Sequence, residues 1–277
     1  MDELLNKFDF YKINKFFLIF DIDGTLRPDT VMALDHRYPK IDPKTAQQLK
    51  QLNTHPKFRI AILTARSYVD IFRSNISNNI IKFCGFGKQI VNNDILRYAR
   101  EDFSRAYDET VMFVDIIKDI IGPVLASELD FLLTPGDFSL YFEAEDYQEK
   151  KEKILEIIQL ILFNSRRWQM IDMGKELIFK DRKYPYDKGD AIFDILDAMD
   201  LNNLTQVLFF GDSQADYRAM IALREYQKLH PQKRLKVTNI AVGPALLGQE
   251  LVTYNFESYR DTTMFVEHLY KLTYEKP

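Results

Sequence analysis

Phe16-Phe17-Leu18-Ile19-Phe20-Asp21-Ile22-Asp23-Gly24-Thr25-Leu26 is the stretch on which the fold turns. An unbroken apolar run reads as a strand buried on both faces, because a strand with one wet face alternates apolar and polar residues. The run stops on two aspartates and a glycine. Arg59 to Leu63, Val207 to Phe210 and Val237 to Val242 have the same character. Helical patterns lie between or beside these runs. Ile41 to Leu52 carries Ala46, Leu49 and Leu52 at helical spacing behind Asp42-Pro43, a cap and first-turn pair. Asp187 to Met199 places Ala191, Ile192, Ile195, Leu196 and Met199 on one face. Strand alternating with helix predicts an α/β fold with a Rossmann-like, doubly wound parallel sheet.

The middle of the chain has another texture. Two helices are expected, around Ser104 to Ile121 and Tyr147 to Phe163. Strand-like runs follow at Asp130 to Leu133, Ser139 to Glu143, Arg167 to Ile171 and Glu176 to Lys180, with turns at Pro135-Gly136-Asp137 and Met173-Gly174-Lys175. These runs alternate more, as in an open sheet with one wet face. The pattern predicts an inserted α+β domain over residues 94–182, within a core made of residues 1–93 and 183–277. A chain of 277 residues has room for both.

Composition narrows the functional classes. The net charge is −4, and the richest basic stretch, Lys228 to Lys236, is broken by Leu229, His230, Pro231, Gln232 and Leu235. This argues against a nucleic-acid partner. The single cysteine, Cys84, has no internal disulfide partner and ends an apolar run, which suits a buried strand residue in a reducing compartment. The four histidines lack zinc-ligand spacing. Met1-Asp2-Glu3-Leu4-Leu5 is not the basic-then-apolar pattern of a secretory signal, and no apolar run is long enough to span a membrane. A cytoplasmic protein without a membrane partner is expected.

The chemistry lies where the apolar runs end. The first ends at Asp21, the second at Thr64, and Val207 to Phe210 ends at Gly211-Asp212. In an open parallel sheet the ligand crevice lies beyond the carboxyl ends of the strands, so three distant segments should meet there. Asp21, Asp23, Asp212 and Asp216 would gather as a carboxylate cluster, and two like charges about 4 Å apart repel by about 4 kcal/mol at an effective dielectric of about 20. Such a cluster calls for a cation. Oxygen donors that leave positions for water and a phosphate suit Mg²⁺. Lys188 is expected at the first position of its helix, where a cation opposes the dipole by about 0.3–1 kcal/mol. Another demand, such as neutralising a carboxylate and a phosphate, would place it there.

Together these segments resemble the haloacid dehalogenase superfamily. Asp21-Ile22-Asp23-Gly24-Thr25-Leu26 resembles its first motif, Leu63-Thr64-Ala65-Arg66 the second, Lys188-Gly189 the third and Gly211-Asp212-Ser213-Gln214-Ala215-Asp216 the fourth. The resemblance implies a Mg²⁺-dependent phosphatase with a small phosphate ester as its substrate. Asp21 would be the nucleophile and Asp23 the general acid/base. Thr64, Lys188 and the backbone near Gly24 would hold the phosphoryl oxygens. The metal would sit among Asp21, Asp23, Asp212 and Asp216.

The insert looks like the cap of trehalose-6-phosphate phosphatases and related sugar phosphatases. Gly174-Lys175-Glu176-Leu177-Ile178-Phe179 followed by Tyr186-Asp187-Lys188-Gly189 is similar to the cap exit of that group. Glu143 and Lys175 are the candidate cap residues facing substrate. Two segments differ from the group: its fourth motif is more acidic, and Tyr141-Phe142-Glu143-Ala144-Glu145-Asp146 lacks its usual arginine. A phosphorylated sugar is the expected substrate. The alternatives are a phosphoprotein phosphatase or a binding module that retains the fold.

Overall fold

The computed structural model describes residues 13, 15–28, 40–127, 129–142, 147–162, 167–172, 176–199 and 205–275. Helix residues 159–162 are described by their backbone alone. The chain divides into two compact units, Met1–Arg97 with Tyr186–Pro277, and Tyr98–Pro185.

The first unit is built on a sheet whose described strands run in the order β12-β11-β10-β1-β2-β3-β4-β5. These are β1 (Lys15–Phe20), β2 (Phe58–Leu63), β3 (Ile81–Cys84), β4 (Gln89–Asn92), β5 (Ile95–Tyr98), β10 (Thr205–Gly211), β11 (Lys236–Val242) and β12 (Tyr254–Phe256). Pairings from β12 through β3 are parallel, and β4 joins antiparallel. β1 is central, with β10 on one side and β2 on the other.

Both faces of β1 are covered, which is why its sequence does not alternate. Phe16, Leu18 and Phe20 enter one core cluster with Leu49, Leu52, Phe265 and Leu269 from the helices Pro43–Thr54 and Tyr259–Tyr274. Phe17 and Ile19 enter the other, with Ala191, Ile195, Met220 and Leu223 from the helices Lys188–Ala198 and Gln214–Leu229. At about 1.5–3 kcal/mol per fully buried large apolar side chain, β1 is fixed between two helical layers.

The second unit carries an antiparallel sheet in the order β6-β7-β9-β8: β6 (Leu129–Thr134), β7 (Asp137–Phe142), β8 (Trp168–Asp172) and β9 (Glu176–Asp181). One face packs on the helices Glu101–Ile121 and Tyr147–Leu162. Phe138, Leu140, Leu177 and Phe179 join one buried cluster with Val114, Ile117, Ile154 and Ile158, and in β9 Leu177 and Phe179 alternate with the less buried Glu176, Ile178 and Lys180. The fold is thus a doubly wound α/β core with an α+β unit inserted between β5 and the helix Lys188–Ala198. No helix among the described residues is long and apolar enough to cross a membrane.

Candidate active site

Register brings the motif residues together. Phe20 pairs with Phe210 on β10 and with Ile62 on β2, so these three strands end at the same level. Asp21 continues the ladder by one bond, its N–H donating to the Phe210 carbonyl at 3.0 Å. Asp21, Asp212 and Thr64 therefore emerge at neighbouring strand ends, the crevice position of a doubly wound sheet.

The chain after Asp21 folds into a turn around one carbonyl. The N–H groups of Thr25, Leu26 and Arg27 all point at the Ile22 oxygen, at 3.3, 2.8 and 3.2 Å. Ile22 and Leu26 are buried and anchor the turn in the core. Gly24 has φ +72°, and a Cβ there would lie 2.0 Å from Asp212 Oδ2. Only glycine lets the first motif approach the fourth this closely.

Lys188 stands at the first position of its helix, after an Asp187 cap whose carboxylate accepts from Gly189 N–H at 2.7 Å. Its side chain is 2% exposed, and its ammonium lies 2.9 Å from Asp21 Oδ1 and 2.7 Å from Asp216 Oδ1. The dipole penalty of at most about 1 kcal/mol is small beside the attraction of two carboxylates, each about 4 kcal/mol at 4 Å and an effective dielectric of about 20. Burial alone would lower the lysine pKa, but Asp21 and Asp216 outweigh it and hold the ammonium charged.

Asp216 has a second task. Its other oxygen accepts from Ser213 Oγ at 2.5 Å and from the N–H groups of Ser213 and Asp212 at 3.1 and 3.3 Å. Ser213 in turn caps the helix Gln214–Leu229, completing a capping box. One carboxylate thus fixes both the fourth motif and the Lys188 ammonium.

Asp21, Asp212 and Asp216 each offer an oxygen within 4.8 Å of the others. The Asp21 carboxyl is pushed well above the usual range, first by burial and then by Asp216, Asp212 and Asp23, against the lowering effect of Lys188. The three clustered carboxylates are an all-oxygen donor set, which fits a hard divalent cation.

Asp23 faces different partners. Arg66 grips it as a fork, Nε to Oδ2 at 2.5 Å and Nη2 to Oδ1 at 3.0 Å, and Arg27 Nε lies 3.0 Å from Oδ1. The expectation that Asp23 joins the metal cluster concerns a carboxyl that here pairs with two guanidiniums. Arg66 is the last residue of the second motif, and Arg27 carries no sequence signal beyond following Leu26.

Thr64 is 1% exposed at the end of β2, its hydroxyl accepting from the Arg66 N–H at 3.2 Å. A loop from Gly85 to Gly87 holds this segment from behind. Gly85 N–H donates to the Arg66 carbonyl at 2.7 Å and Phe86 N–H to the Thr64 carbonyl at 2.9 Å. Phe86 sits at φ 60°, a left-handed conformation that costs a bulky side chain about 1–3 kcal/mol. Glu143 and Lys175, the candidate substrate-facing residues, lie outside the described residues.

No protein-family model matches the chain, and no curated protein matches it. Solved structures do share its fold. The C-terminal domain of trehalose-6-phosphate phosphatase from C. albicans aligns with a TM-score of 0.66 at 16% identity, over 98% of this chain and 97% of that one. A trehalose-6-phosphate phosphatase related protein aligns with a TM-score of 0.60 at 19% identity, over 94% and 100%. The C-terminal domain of a Candida albicans trehalose synthase regulatory protein aligns with a TM-score of 0.56 at 10% identity, over 94% and 97%. These likenesses span both units and show that the chain shares its fold with the trehalose-6-phosphate phosphatase structures.

Proposed function

We propose that the chain is a Mg²⁺-dependent phosphomonoester hydrolase working through an aspartyl phosphate on Asp21, with a phosphorylated sugar or similar small metabolite as substrate. The observation that carries this reading is the buried Asp21 carboxylate at the end of β1, 2.9 Å from the Lys188 ammonium and grouped with Asp212 and Asp216.

Asp21 attacks phosphorus, and the bond to the leaving oxygen breaks. Asp23, two residues on, gives that oxygen a proton. In the second step Asp23 takes a proton from the attacking water, whose oxygen displaces the Asp21 carboxylate from phosphorus. Lys188, the Thr64 hydroxyl and the backbone near Gly24 hold the transferring group, whose transition state needs positioning and charge stabilisation more than covalent help. Asp21 and Asp212, with Asp216 behind them, would hold a Mg²⁺ ion, which supplies charge neutralisation at the phosphoryl group.

The sugar-phosphate assignment is supported by the named activity of structures that align over nearly all of this chain. The inserted unit, lying between the second and third motifs in sequence, is the element that would select substrate. A non-catalytic role is favoured by the likeness to a regulatory protein's domain. The complete set of Asp21, Asp23, Thr64, Lys188 and Asp212 speaks against it, since a fold alone does not require those groups. The deciding experiment is Mg²⁺-dependent phosphate release from p-nitrophenyl phosphate and a sugar-phosphate panel. Activity that survives Asp21→Asn removes Asp21 from the mechanism, and phosphopeptide turnover above that of every sugar phosphate replaces the substrate class.

A further inference from the structure

We infer that Arg27 is a positioning residue for Asp23, acting with Arg66 to fix the orientation of that carboxyl. The inference rests on the phosphatase reading above and adds a residue that none of the motifs names.

The geometry is specific. Arg27 is buried, with 6% of its side chain exposed, and its Nε lies 3.0 Å from Asp23 Oδ1 as an ion pair rather than an aligned hydrogen bond. A buried guanidinium is costly unless a charge of opposite sign meets it, and the Asp23 carboxylate is such a charge. The turn around the Ile22 carbonyl brings the two side chains together: Arg27 N–H donates into it at 3.2 Å, and the backbones of Asp23 and Arg27 form an isolated bridge. Arg27 thus reaches Asp23 from its own turn, while Arg66 reaches it from beyond β2 with a two-pronged grip. A carboxyl held from two directions at both oxygens has its side-chain rotation fixed. A general acid/base must first meet a geometric demand, being within hydrogen-bond reach of the leaving oxygen and then of water. In the second step Asp23 acts as a carboxylate, the form that two guanidiniums suit, and fixing its rotation meets that demand toward the attacking water.

A purely structural role would make Arg27 matter equally whatever stands at residue 23. The test is therefore a double-mutant cycle in full-length protein, with p-nitrophenyl phosphate as the probe. Arg27→Met is expected to lower kcat by at least about tenfold with KM within about twofold, a part of the 10²–10⁴ that general acid–base catalysis contributes. In an Asp23→Asn background the same change should alter kcat by less than about twofold, because the group it positions is already gone. Arg27→Gln, uncharged but polar, is carried through the same cycle in case Arg27→Met folds poorly. Equal losses in both backgrounds, or wild-type kcat in both variants, overturn the inference. Absence of activity in the wild type, or its persistence in Asp21→Asn, instead overturns the phosphatase reading.

Discussion

The Lys188 ammonium lies 2.9 Å from the Asp21 carboxylate, and only 2% of the lysine side chain is exposed. A cation at the start of a helix is misplaced for the helix and well placed for the strand end opposite it. The site takes its charge balance from this pair and from Asp216, 2.7 Å away on the other side of the lysine.

Lys188→Met should leave the carboxylates of Asp21 and Asp216 buried without their cation. Removing one partner of a buried pair costs about 3–5 kcal/mol. Urea unfolding in EDTA is expected to show a loss of that size, together with loss of phosphate release. A variant with the wild-type unfolding midpoint would show that the pair carries no such weight.

Metal and pH should be linked through Asp21. A carboxyl whose pKa is raised by folding binds its proton more tightly in the folded state. Its contribution to stability is complete below the unfolded value, about 3.9, and is lost as pH rises through the raised value. In EDTA, the stability of wild type relative to Asp21→Asn should fall as pH rises from acid, and Mg²⁺ should reverse the fall. Calorimetry in buffers of different ionisation enthalpy should show proton release on Mg²⁺ binding; proton uptake would contradict the cause assigned to the shift.

Gly24→Ala should weaken both fold and metal site. Its φ of +72° costs alanine about 1–2 kcal/mol, and the added Cβ would meet Asp212 Oδ2 at 2.0 Å. Reduced Mg²⁺ affinity by calorimetric titration, beyond the loss of stability, is the expected result. Unchanged affinity would mean that Asp212 moves aside without consequence.

Asp216→Asn keeps the shape of the side chain but replaces one acceptor oxygen with a donor. It should cost about 1–3 kcal/mol, the desolvation penalty of donors left unmet at Lys188 Nζ or Ser213 Oγ. Phosphate release is expected to fall with it, since Lys188 loses one of its two holds. Thermal unfolding alongside kinetics separates the two effects, and full activity would show that Asp21 alone keeps the lysine in place.

Glu109 offers a control in the second unit. Burial would raise its pKa, but hydrogen bonds from Lys183 and Arg167, with Arg105 alongside, bring it down to about 2. A depressed carboxyl contributes stability that is present above its unfolded value and lost as pH falls through the folded one. Glu109→Gln should therefore destabilise by about 1 kcal/mol at neutral pH, a small figure because the cluster is partly solvated. Wild type and variant should converge near pH 2, as read by unfolding midpoints.

The sequence by itself determined the layers of this protein and the ends of its central strands. An apolar run such as Phe16 to Phe20 reports burial directly, because burial is a property of each residue and sums along a local pattern. The carboxylates after β1 and β10 were legible for the same reason, and Lys188 was legible because it opposes its own helix. Alternation along Ser139-Leu140-Tyr141-Phe142 likewise pointed to a one-faced sheet in the insert. Only the tertiary structure decided which charge meets which. Asp216 is joined to Lys188, Gly24 to Asp212, and Asp23 to Arg66 from a different strand end. Charge pairing depends on side-chain direction over a few ångströms, and residues far apart in sequence carry no periodic signal of it. The pairing of the Asp23 carboxyl with Arg27 and Arg66 is a case of this, since no local pattern links the three residues.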